Sequence, residues 1–119
     1  MNDEKHCFSK SSRIIKPEDF LKVKTDGLSA RTRVLVVSCL PGRTRRLGIV
    51  VSRKVGNAVQ RNRLKRITRE FFRIKRKTFP SGDNVVIMSH AASRLDNAQV
   101  RAELSKTLCK LEGLLNEIR

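Results

Sequence analysis

The chain has no tryptophan, only three cysteines, and 11 acidic residues to set against 27 Lys and Arg. Each shortage excludes something. Without Trp, an amphipathic helix lying on a membrane surface lacks its usual anchor. The paired aromatics of an RNA-recognition-motif sheet are also missing. Cys7, Cys39 and Cys109 are widely spaced and odd in number, which gives neither a disulfide framework nor metal-ligand spacing. The longest stretch free of charge is the ten residues from Asn84 to Ser93, far short of a membrane span. The opening MNDEKHCFSKSS holds two acids and no apolar segment, so neither a secretory signal nor a transit peptide is expected. Together these point to a reduced, cytoplasmic location.

Catalytic groups are equally scarce. A metal-dependent nuclease needs clustered carboxylates, and the pair Glu18-Asp19 is better explained as helix capping. His6 and His90 fall in terminal or loop positions, and no metal site is expected from them. Ser38, Ser52 and Ser89 lack a His/Asp context. Glu70 stands among Arg66, Arg69 and Arg73, as an intrahelical salt-bridge partner would. No residue of the chain is expected to catalyse by itself.

What is abundant is positive charge, and it is unevenly spread. The 119 residues carry a formal net charge of +16. Residues 43–77 hold fourteen basic residues and one acid, Glu70, a net of +13. Residues 1–42 are at +3 and residues 78–119 are neutral. Unbalanced charge destabilises a free protein by self-repulsion, so a polyanionic partner is implied. The length suits a single domain over residues 1–119, with residues 1–11 expected to be flexible.

Pro17 to Val23 reads as a short helix, with proline at its first position, two acids at the positive end of its dipole and Gly27 as its stop. Val34 to Leu40 and Leu47 to Val51 read as strands, and the turn chemistry of Pro41-Gly42-Arg43-Thr44 between them predicts a hairpin. Both runs are apolar on successive residues, as in a sheet covered on both faces. A second helix is predicted from Ala58 to about Lys77, capped by Asn57 with Gln60 three residues on. Val85 to Met88 is a further strand. Asp96 and Gln99 open a last helix, whose Val100, Leu104, Leu108, Leu111, Leu115 and Ile118 form a core stripe or, less simply, a partner-binding face. The fold class is α+β, an α/β sandwich with one main sheet.

On the second helix, Leu64, Ile67, Phe71 and Ile74 share one side, while Arg61, Lys65, Arg69 and Arg73 step by four along the other, flanked by Asn62, Arg66 and Arg76. Like charges at that spacing cost a few tenths of a kcal/mol per pair, a cost that phosphates would remove. Phe72 falls near the basic side and is expected to be buried. Before the helix, Ser52-Arg53-Lys54-Val55-Gly56-Asn57 either forms an anion site, with Gly56 allowing close approach, or simply turns the chain. Helix-turn-helix, zinc-finger and heptad patterns are absent, which favours RNA over DNA. The residues alone therefore describe a basic RNA-binding domain: a ribosomal protein, an RNA chaperone or the cofactor of a ribozyme.

The run Arg46-Leu47-Gly48-Ile49-Val50-Val51-Ser52-Arg53-Lys54-Val55-Gly56-Asn57-Ala58-Val59-Gln60-Arg61-Asn62-Arg63-Leu64-Lys65-Arg66, continued by Arg69-Glu70-Phe71-Phe72-Arg73, resembles the family of bacterial ribonuclease P protein components. Arg13-Ile14, Glu18-Asp19-Phe20, the strand from Asn84 to Met88 and the helix from Asp96 extend the resemblance over residues 12 to 115. It implies an α-β-β-β-α-β-α order with a left-handed βαβ crossover. It also implies the protein subunit of an RNA-based endoribonuclease, a hydrolase in which the catalytic RNA and Mg²⁺ remove the 5′ leader of precursor tRNA. The expected partners are that RNA and the precursor, with no DNA, no membrane, and no cofactor bound by the protein itself. Arg53, Lys54, Asn57, Arg61, Asn62, Arg63, Lys65, Arg66 and Arg69 match the family's RNA-contacting motif. Phe20, with Leu35 and Val37, matches its leader-binding cleft. Lys24 stands where many members have a second aromatic, and Val36, Val37 and Ser38 stand where many have a strand aromatic. The cleft is thus expected to use less stacking and more charge and aliphatic surface.

Overall fold

A computed structural model describes residues 12–117. The segment 1–11, with His6 and Cys7, and the stripe residue Ile118 lie outside the described residues. Helix α1 (Pro17–Asp26) starts at proline with Glu18 and Asp19 in its first turn and ends at Gly27, whose N–H donates to the Val23 carbonyl at 2.9 Å. Strands β1 (Leu28–Arg31), β2 (Leu35–Pro41) and β3 (Arg46–Val51) follow, then helix α2 (Ala58–Ile74), strand β4 (Gly82–Met88) and helix α3 (Asn97–Glu117). Short 3₁₀ turns precede α2 (Arg53–Val55), follow it (Arg76–Thr78) and precede α3 (His90–Arg94).

The sheet order is β1-β2-β4-β3, with β3 parallel to β4 and the other neighbours antiparallel. The expected hairpin between β2 and β3 therefore does not form, because β4 lies between them. The Pro41–Thr44 turn instead meets the approach to β4, where the Gly42 N–H donates to the Ser81 carbonyl at 3.2 Å and Ser81 Oγ donates to the Gly42 carbonyl at 2.7 Å. Central β4 is buried at five of its seven residues, with Asp83 and Ile87 half-buried, in keeping with a strand paired on both edges.

The two faces are covered unequally. Leu35, Val37 and Cys39 of β2, Leu47 and Val51 of β3, and Val86 and Met88 of β4 form the main core with α2 and α3. Among the described residues the opposite face carries α1 and the segment before it, through Val23, Phe20 and Ile14 against Val85, Leu40 and Ile87. Phe20 lies on Gly48, where a Cβ would sit 2.5 Å from its ring. Arg46 fastens α1 to the sheet, donating twice to Asp83 at 2.7 Å and pairing with Asp19 at 3.6 Å. Those carboxylates, the Asp83 hydrogen bond first, hold its guanidinium above the usual arginine range despite partial burial. The side chains are over a fifth exposed, so the net worth is about 1 kcal/mol or less.

Candidate nucleic-acid interface

Helix α2 is capped as its sequence predicts, with the Gln60 N–H donating to Asn57 Oδ1 at 2.9 Å. Its buried side is Leu64, Ile67, Thr68, Phe71 and Phe72. Ile74 is not part of it. At about 100° per residue the stripe centres between Leu64 and Thr68, so Phe72 turns in and is fully buried, whereas Ile74 reaches the rim and is 63% exposed. Phe72 packs edge-on against Phe79 at 4.9 Å and carries the Arg76 guanidinium 5.1 Å above its ring. Glu70 makes no ion pair; among the described residues those pairs are both on Arg46. The expected salt bridge is absent because Glu70 projects toward the groove between α2 and α3.

The polar residues of α2 and of the turn that follows it differ in what they bind. Arg61 Nε donates back to the Gly56 carbonyl at 3.1 Å. Arg63 donates to Asn97 Oδ1 at 2.7 Å and to the Leu95 carbonyl at 3.0 Å, latching α2 to the start of α3. Arg76 donates to Ser12 Oγ and the Arg45 carbonyl. Asn62, Arg66 and Arg69 instead stand exposed on the outer face, and Lys65 is half-buried beside them. In the preceding loop Arg53 and Lys54 are exposed on the 3₁₀ turn, and His90 Nδ1 approaches the Lys54 carbonyl at 3.1 Å. Gly56 has a nearly extended φ of 164°. The Gln60 side chain folds over it, so what approaches this glycine closely is the chain itself.

Leu35 and Val37 are not available to a cleft. They are 1% and 0% exposed and point into the core beneath α2 and α3. The uncovered side of β2 is that of its even-numbered residues. Register aligns Arg31, Val36, Ile87 and Val50 in one row across all four strands, beside the part of the sheet that α1 covers. Val36 and Ile87 are half-buried, and Val50 is 38% exposed. The row leads from β3 into Arg53 and Lys54, with Phe20 nearby over Gly48, so an open aliphatic strip adjoins the basic loop. The signal missed in the sequence was Ser38: a polar residue in an otherwise apolar run, hydrogen-bonded to Ser29 at 2.6 Å, marks the face opposite the core.

Chemically, exposed guanidinium and ammonium groups of this kind are donors suited to phosphate oxygens. Among the described residues no group of three or more His, Cys, Asp or Glu could hold a metal ion, and no helix is long and apolar enough to cross a membrane. Burial raises the thiol pKa of Cys39 to about 11, helped by the Asp83 charge, so it is a poor nucleophile.

Comparison with known proteins agrees with the motif. The family model described as Ribonuclease P matches residues 8–112. The ribonuclease P protein component of Desulforapulum autotrophicum is 42% identical over 111 residues, covering 89% of this chain and 93% of that protein. That of Chlamydia trachomatis is 40% identical over 98 residues, covering 80% and 81%. Among solved structures, the Staphylococcus aureus RNase P protein superposes with a TM-score of 0.79 at 35% identity, covering 83% of this chain and 94% of that one. The Thermotoga maritima RNase P protein gives 0.72 at 39% identity, covering 81% and 94%. With its helix, mixed four-stranded sheet and basic crossover helix in the family's order, the chain belongs to the ribonuclease P protein family.

Proposed function

We propose that this protein binds the catalytic RNA of ribonuclease P through the outer face of α2 and its preceding loop, and the single-stranded 5′ leader of precursor tRNA along the open strip. The RNA and Mg²⁺ then cleave the leader, and the protein supplies affinity and placement. The observation that carries this reading is the charge on α2: Arg66 and Arg69 are exposed and have no ion-pair partner among the described residues, and Arg53 and Lys54 are exposed in the loop before the helix. Arginine suits the role, since its planar fork grips phosphates with two donors.

Leader binding rests on shape. A strip floored by Val36, Ile87 and Val50, with one aromatic at its side, offers sequence-tolerant contact of the kind that varied leaders require. Phe20 provides the ring. Its replacement by alanine lowers affinity for leader-bearing precursor by about 1–3 kcal/mol if a base stacks there, and leaves affinity for mature tRNA unchanged. Equal losses for both ligands would remove Phe20 from the leader site.

The test of the whole reading is reconstitution with a bacterial ribonuclease P RNA, Mg²⁺ and a precursor tRNA. The expected result is that the protein raises cleavage at low Mg²⁺ and that the protein alone cleaves nothing. No stimulation would overturn the proposal. Cleavage without RNA would move the chemistry into this chain.

A further inference from the structure

The charge of α2 does not account for every concentration of positive side chains. At the end of the strip farthest from α2, a groove of about 620 Å³ at the strand ends is lined by Arg31, Arg33 and Lys110, by Val36 and Ile87 of the strip, by Leu35 and Met88 of the core side, and by Ser89. The three cations come from three places: the end of β1, the turn into β2, and the middle of α3. All lie outside residues 43–77. No carboxylate lines the groove, and none of the three has an ion-pair partner among the described residues. Lys110 Nζ donates to the Arg31 carbonyl at 3.2 Å, which holds the ammonium over the end of β1 without neutralising it. Ser89 is held by bonds from its Oγ to the Val34 and Arg33 carbonyls, so the turn carrying Arg33 is tied to the end of β4. Bringing three like charges together costs self-repulsion that nothing in the groove relieves.

Position supplies the occupant. Arg31 begins the row that continues through Val36 and Ile87 to Val50 and so to Arg53 and Lys54. Three interstrand spacings of about 4.8 Å make the row about 14 Å wide. An aliphatic strip with a basic bank at each end matches a single strand whose bases lie on the floor and whose phosphates meet both banks.

Resting on the assignment of the strip to the leader, we propose that Arg31, Arg33 and Lys110 form a distal phosphate site that takes the part of a long leader emerging across the sheet. The protein then measures leader length: a leader that ends on the strip reaches only the Arg53–Lys54 bank, and a longer one engages both. The same cations could serve phosphates of the catalytic RNA, and the experiment separates the two sources.

Holoenzyme is assembled from the catalytic RNA with wild-type protein or with the triple variant Arg31→Ala, Arg33→Ala, Lys110→Ala. Affinity is measured for precursor tRNAs with a graded series of leader lengths, for mature tRNA, and for the catalytic RNA alone. The expected result is a loss on the order of tenfold at low salt for long leaders only, with the salt slope reduced by about 0.7 for each phosphate no longer neutralised. The variant Arg31→Lys, Arg33→Lys keeps the charge and most of the affinity. An unchanged affinity at every length overturns the distal site. An equal loss on mature tRNA or on the catalytic RNA assigns the cations elsewhere and also overturns it. If the wild-type holoenzyme binds leader-bearing and mature tRNA alike, the leader assignment itself fails, a result visible before any variant is made.

Discussion

Arg63 and Arg66 are one helical turn apart on α2 and carry the same charge, yet they do different work. Arg63 spends its donors on Asn97 and the Leu95 carbonyl and joins two helices. Arg66 stands exposed on the outer face. The same division separates Arg61 and Arg76, which brace the fold, from Arg69, which does not. A motif of like residues can thus be half scaffold and half interface. Replacing its members together would mix unfolding with the removal of the proposed phosphate ligands.

The inner side is where the largest effect is expected. Phe72→Ala empties a fully buried site against Phe79 and beneath Arg76. A loss of about 3–5 kcal/mol is expected in urea unfolding, and a loss below about 1 kcal/mol would mean that this side of α2 is not core. Arg63→Ala comes next, costing about 1–3 kcal/mol because the Leu95 carbonyl and Asn97 lose their donor. Arg63→Lys should not restore stability, since one ammonium cannot span both acceptors in the same geometry. If Arg63→Ala unfolds at the wild-type denaturant midpoint, the division fails.

The outer side inverts the pattern. Arg66→Ala with Arg69→Ala should leave stability within about 0.5 kcal/mol. The salt dependence of RNA binding should flatten by roughly 0.7–0.9 units of slope for each phosphate that is no longer neutralised. A fall in stability with an unchanged slope would place these two with Arg63 instead. The smallest effect concerns the thiols. Cys39 is buried and Cys109 exposed, so a maleimide should label Cys109 and spare Cys39 in the folded protein. The folded Cys39 thiol ionises only near pH 11, against 9.0 in the unfolded chain. Between those values the unfolded state binds fewer protons, so this contribution to stability is complete below pH 9 and is lost as pH rises to 11. Cys39→Ala should remove that part of the alkaline slope, which chemical denaturation across this range would detect.

How much of this was legible in the sequence differs from element to element. The capping pairs Asn57–Gln60 and Asp96–Gln99 announced both long helices, and the latter is reciprocal in the structure at 2.8 and 2.9 Å. The α3 stripe came directly from its spacing. Strand β1 did not, since Leu-Ser-Ala-Arg is too short and mixed to stand out. Nor did the pairing of β2 with β4, because turn residues signal a change of direction and not the identity of the neighbouring strand. The resemblance supplied the right family motif but the wrong side of β2, since Leu35 and Val37 belong to the core. A run apolar at nearly every position carries no period-2 signal, and a one-residue change of side exchanges core for cleft. The division among the arginines was invisible for a different reason: Asn97 and Leu95 lie more than thirty residues from Arg63.

The place of β4 has a consequence for how the molecule comes into being. During synthesis β2 and β3 emerge early but have no direct partnership, and the strand that joins them, Gly82–Met88, follows the whole of α2. The basic helix is therefore complete before the sheet that receives its apolar side is closed. Non-local pairing of this kind slows folding. Between the exit of α2 and the closure of the sheet, a positively charged, half-apolar helix is open to solvent, and a polyanion could meet it before its own strands do.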